Sequence, residues 1–127
     1  MNNPEYCFCG STINFQDCCQ KYIDGAQKAP TALALMKSRY SAYAMHQADY
    51  LLATTHHSKR QYYSLEEIMH WATANQWQKL EIISATETTV EFKAYFKDEN
   101  LEDVIHHEFS TFKQENGDWF YVDGKFK

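Results

Sequence analysis

The sequence predicts an α+β fold, with helices first and an antiparallel sheet after them. Three observations carry this. Helical periodicity and helix-start residues are confined to the stretch between Pro30 and about Ala74. From Trp77 onward the pattern changes to alternating apolar and polar residues broken by turn formers. The two kinds of stretch do not alternate with each other, which excludes repeated βαβ units.

The first helix is expected from about Ala32 to His46, with Thr31 as its N-cap. Leu33, Leu35, Met36, Tyr40, Ala42, Tyr43, Ala44 and Met45 cover most of its circumference, so it should be largely buried. Asp49 opens a shorter helical stretch, DYLLAT, which runs into the polar HHSKRQ. Ser64 and Glu67 form a capping box, and Tyr63 is placed to staple onto Ile68. That helix should reach about Ala74 with Leu65, Ile68, Met69 and Ala72 inward. Four strand patterns follow: QKLEIISAT, TTVEFKAYF, DVIHHEFSTFK and DWFYVDGKF. Asn116-Gly117 predicts a two-residue hairpin loop that sets Phe112 opposite Tyr121. Glu108, Ser110, Phe112, Trp119, Tyr121 and Asp123 would then share one sheet face, and Phe109, Phe120, Val122 and Phe126 the other.

Composition agrees with one ordinary core and a small appendage. At 127 residues, 44% hydrophobic and 23% charged, the chain has enough apolar side chains for a single core. Its formal charge of −5 lacks the basic footprint that nucleic-acid or anionic-membrane binding requires. The apolar run Ala32 to Met36 is too short to span a bilayer, and MNNPEYCFCG does not read as a secretion signal. A cytoplasmic protein without membrane insertion is the expectation.

All four cysteines lie between positions 7 and 19, in the segment CFCGSTINFQDCC. They therefore act locally and do not staple distant parts of the chain. Cys7 and Cys9 can turn toward one ion if the chain bends at Gly10, and the adjacent Cys18 and Cys19 would close a tetrahedron. Zinc suits four thiolates with no vacant position, which marks a structural site. A redox disulfide set and an iron-sulfur site are the competing readings, and a disulfide between neighbouring cysteines would be strained. Residues 1–29 are read as knuckle and connector, and 30–127 as the α+β domain. With the cysteines confined to the start, loss of the metal is expected to damage only the knuckle.

The cysteine segment resembles the SEC-C motif at the tail of the SecA translocation ATPase, through Cys7, Cys9, Gly10, Ser11, Phe15, Cys18 and Cys19. Thr12 stands where that motif often has glycine, and Ile13, Asn14 and Gln16 where lysines are common. Together with MKSRYSAYAMHQADYLLATTHHS and HHEFSTFKQENGDWFYVDG, the segment resembles the YchJ family over nearly the whole chain. In that family a SEC-C motif precedes a nuclear-transport-factor-2-like (cystatin-like) cone of helices on a curved antiparallel sheet. Many members carry a second SEC-C motif after the cone, whereas this sequence ends at Phe126-Lys127. The family brings no established activity with it.

The resemblance implies two classes of function. The first is a zinc-binding accessory protein whose knuckle contacts another macromolecule, in translocation or ribosome-associated work. The second is a small-molecule binder or enzyme using a pocket in the cone, and a homodimer is compatible with both. The residues expected around such a pocket are Arg39, Tyr43, His56, Glu108, Tyr121 and Asp123. Arg39 lies in the most apolar helix and needs a partner if buried, for which Glu108 and Asp123 are the candidates. A dyad of His56 with Asp123 is the one catalytic pairing the pattern offers, against the commoner outcome of solvated histidines. No catalytic residue is assigned. Tyr40, Tyr43, Trp77, Trp119 and Tyr121 are most simply core. An open cavity with converging polar groups, as opposed to a plugged interior, would separate the two classes.

Overall fold

The computed structural model describes residues 6–127, and in them every helix precedes every named strand. The first five residues of the expected knuckle segment lie outside the described residues. The helices are α1 (Gln20–Ile23), α2 (Ala32–Ala44), α3 (Ala48–Ala53) and α4 (Leu65–Ala74). Thr31 caps α2 through its Oγ1, which accepts the Ala34 N–H at 3.0 Å. The helix ends two residues earlier than its apolar pattern suggests. His46 turns to a positive φ of 59°, and the Gln47 N–H closes the end on the Ala42 carbonyl at 2.8 Å. Leu35, Met36, Ser38, Arg39, Tyr40, Ser41 and Ala42 of α2 are all buried, as expected for a helix apolar nearly all round.

The Ser64–Glu67 box starts α4: Ser64 Oγ accepts the Glu67 N–H at 3.0 Å and donates to Glu67 Oε1 at 2.9 Å. Its inner face is narrower than expected. Ile68 and Ala72 are buried, but Leu65 and Met69 are exposed. The helix rests on α3 and α2 along one seam, and side chains about a quarter-turn away from Ile68 fall outside it.

The sheet is an antiparallel meander of β1 (Gln76–Ala85), β2 (Thr89–Lys97), β3 (Asp103–Glu115) and β4 (Asp118–Phe126), in that spatial order. Phe112 pairs with Tyr121 as the Asn116-Gly117 loop predicts, with both loop residues at positive φ. One residue further the register shifts. Thr111 pairs with Asp123, Val122 is the extra residue of a bulge, and the faces of the rest of β4 exchange. Asp123 is therefore on the opposite face from Glu108, and Phe126 comes opposite Glu108. This corrects the expected face assignment of both residues. Further register irregularities lie in β1, at Trp77/Lys79 and Ile82/Ser84.

The core lies between α2 and the concave sheet face, with Leu35, Met36 and Tyr40 against Val90, Phe92, Ala94, Phe112 and Trp119. Cys7, Cys9 and Cys19 belong to the same buried cluster. No helix of the described residues is long and apolar enough to cross a membrane.

Candidate functional site

The four cysteines converge. Their Sγ atoms all lie within 4.8 Å of one another, with Cys9–Cys18 at 3.7 Å and Cys18–Cys19 at 4.0 Å. A tetrahedron with metal–sulfur bonds of about 2.3 Å has edges of about 3.8 Å, so the cluster fits one tetrahedral ion. Local backbone chemistry builds it. The Cys7 N–H bonds the Ile13 carbonyl at 2.9 Å, and Gly10 at φ 94° turns the chain beneath Leu80. A 3-10 turn over Phe15–Asp17 then delivers Cys18 and Cys19 to the start of α1. Hydrogen bonding from Cys19 and Cys9 lowers the Cys7 thiol pKa, and the same pairing, with burial, raises that of Cys19. Four thiols this close cannot all ionise without a cation, and a divalent ion removes the conflict.

Between the helices and the sheet lies a half-open cavity of about 350 Å³. Most of its lining is apolar and aromatic: Met36, Tyr40, Tyr43, Trp71, Trp77, Phe92 and Phe112, with Tyr63 and Phe126 also present. Converging on it are Arg39, Thr55, His106, Glu108, Ser110 and Tyr121. Glu108 accepts from His106 Nε2 at 2.7 Å, Ser110 Oγ at 2.5 Å and Tyr121 OH at 3.1 Å. Burial pushes the Glu108 carboxyl up, but these donors and the His106 charge outweigh it and hold it below its ordinary value. Burial also pushes the Tyr43 and Tyr121 hydroxyls up, so both remain protonated at neutral pH.

The sequence comparisons fall on this same architecture. A family model described as YchJ, middle NTF2-like domain, matches residues 31–124. The chain belongs to the YchJ family. A UPF0225 protein of Photorhabdus laumondii is 39% identical over 94% of this chain and 80% of its own. Another, of Geobacter sulfurreducens, is 35% identical over 93% and 77%. Among solved structures, a SEC-C motif containing protein of Rhodopseudomonas palustris superposes with a TM-score of 0.86 at 32% identity, over 94% of this chain and 96% of that one. One from Psychrobacter arcticus gives 0.77 at 32% identity, over 98% and 79%. The NTF2-like cone of the YchJ family and its SEC-C cysteine cluster are thus both present here.

Of the residues singled out in the sequence, Arg39, Tyr43, Glu108 and Tyr121 lie around the cavity, whereas His56 and Asp123 are not among its lining. Asp123 is exposed on the outer face because of the Val122 bulge. His56 bonds Glu115 Oε2 at 2.8 Å and Ser58 Oγ at 2.7 Å, so the His56–Asp123 dyad does not form. Arg39 makes no ion pair with a carboxylate among the described residues. Its Nη1 instead donates to the Leu51 carbonyl at 2.9 Å and Thr54 Oγ1 at 2.7 Å, and the guanidinium lies 4.6 Å over the Tyr121 ring. The end of α3 supplies oxygens that the sequence pattern did not advertise. His106 was missed, although strand alternation from Glu108 and Ser110 puts it on their face.

Proposed function

We propose that this YchJ-family protein binds a small molecule in the cone cavity, and that the four cysteines hold one zinc ion that fixes the helical wall above it. The carrying observation is the cavity itself: about 350 Å³ of open space, largely aromatic, with Arg39, His106, Glu108 and Tyr121 converging on it. An interior designed only for packing would close around such a volume. A neutral apolar fluorophore, N-phenyl-1-naphthylamine, should bind saturably at one site per chain. Ala94→Phe, which projects a ring into the cavity from β2, should abolish that binding while the protein still unfolds cooperatively. Unchanged binding in the variant would refute the cavity as the site.

Zinc is supported by an all-sulfur donor set with tetrahedral spacing. Elemental analysis of protein purified under reducing, chelator-free conditions should give about one zinc per chain. Iron with visible absorption, or no metal, would overturn the assignment.

A second reading, contact with another macromolecule through the knuckle, is favoured by the exposure of Tyr6, Phe8 and Ile13 around the cysteines. Under it, Ile13→Glu should retain zinc yet lose a partner captured by the wild type from native cells. Identical captured sets for the two proteins would count against it.

A further inference from the structure

We propose that the ligand of this cavity is an aromatic or alicyclic monocarboxylate, held by the free edge of the Arg39 guanidinium. This rests on the cavity reading above and adds the chemical class. Arg39 is only 9% exposed. Its three hydrogen bonds, to Leu51, Thr54 and Thr55, all leave from Nη1. Among the described residues Nε and Nη2 have no partner, yet no buried side-chain nitrogen or oxygen lacks one. That edge therefore opens to accessible space, and Arg39 is part of the cavity wall. It is a permanently charged pair of parallel donors, the geometry that receives a carboxylate in two hydrogen bonds.

The same wall decides against other anions and against cations. Glu108 is negative and already takes three donors, so it leaves little to attract an ammonium group. A phosphate dianion would present three oxygens where one arginine edge is free and the remaining surroundings are largely Trp71, Trp77, Phe92 and Phe112. Oxygens left against aromatic faces lose their hydration without replacement. A carboxylate uses both its oxygens on the fork and turns its apolar body toward the rings. The cavity of about 350 Å³ has the volume of about a dozen waters at roughly 30 Å³ each, which suits a one- or two-ring acid.

A matched series tests this on the wild-type protein: 1-naphthaleneacetate, its amide, 1-naphthylethylamine and 1-naphthyl phosphate, each competed against N-phenyl-1-naphthylamine. The acid should bind about tenfold or more tightly than the amide, and the amine and phosphate more weakly than the acid. Arg39→Lys keeps the charge but lacks the fork, and should cut the acid-to-amide affinity ratio about tenfold. Acid and amide binding equally, phosphate or amine binding best, or an acid preference that survives in Arg39→Lys would each overturn the assignment. Those results leave the cavity reading standing if the neutral fluorophore binds. Failure of the fluorophore to bind the wild type overturns both.

Discussion

Replacing Cys19 with serine is expected to destabilise the whole chain by at least about 5 kcal/mol, an amount comparable to the entire stability of an ordinary domain. Structural zinc is worth about 10 to 16 kcal/mol in isolated zinc-finger peptides, so under the zinc assignment proposed above losing one of four ligands removes a large term. In a separable knuckle that loss would stay local. Here Cys7, Cys9 and Cys19 are packed in one buried cluster with Leu35, Tyr40, Leu80 and Trp119. Cys7 Sγ lies 3.4 Å from Ser41 Oγ on α2, and Trp119 Nε1 donates to the Pro30 carbonyl at 3.3 Å. Releasing the proposed ion would therefore loosen the cluster against which α2 packs. The measurement is urea unfolding followed by tryptophan fluorescence, with zinc release read in parallel by a chromogenic chelator. Fluorescence loss and zinc release should coincide in the wild type, and the variant's midpoint should fall sharply. A zinc-free variant unfolding at the wild-type midpoint would mean that the knuckle is an independent appendage, as its place in the sequence suggests.

Local signals in this chain were legible where the physics is local. The Thr31 and Ser64 caps, the Asn116-Gly117 hairpin and the C-x-C-x8-C-C spacing each act within a few residues, and each forms as its pattern implies. Apart from the early end of α2 at His46, the misreadings discussed next are long-range. The β-bulge at Val122 reverses two side chains, and nothing in VDGKF marks it except a glycine whose reason is tertiary. At Gly124 a Cβ would run into the Glu108 carboxylate from the neighbouring strand. Arg39 was expected to seek a carboxylate because a buried charge needs one. The end of α3 meets that need with a carbonyl and hydroxyls, a solution visible only once α2 and α3 are side by side. Nor does an N-terminal run of cysteines disclose that its sulfurs are shared with the main core.

Glu108→Leu keeps most of the side-chain volume and removes an acceptor that serves three donors. It should cost about 3 to 5 kcal/mol at neutral pH, the range for breaking a buried charge-assisted network by deleting one member. Left behind are the His106 imidazole, 27% exposed in its side chain, and the Ser110 and Tyr121 hydroxyls, of which Ser110 is fully buried. The pH dependence separates charge from packing. The folded Glu108 pKa is held below its unfolded value, so its contribution is fully present above about pH 4.3 and fades as pH falls through the folded pKa. The gap in urea midpoint between wild type and Glu108→Leu should therefore narrow once the pH falls below about 4.3. Gly124→Ala should act on the same group from the opposite strand, because its added carbon displaces the carboxylate from its donors. It should lower stability at every pH, because the overlap with the Glu108 side chain is steric, and only the part due to the displaced carboxylate's lost hydrogen bonds should fade in acid. A Glu108→Leu gap that stays constant down to acid pH would mean that Glu108 fills space without contributing charge, and that the ionised, triply bonded carboxylate is not what orders this side of the cavity.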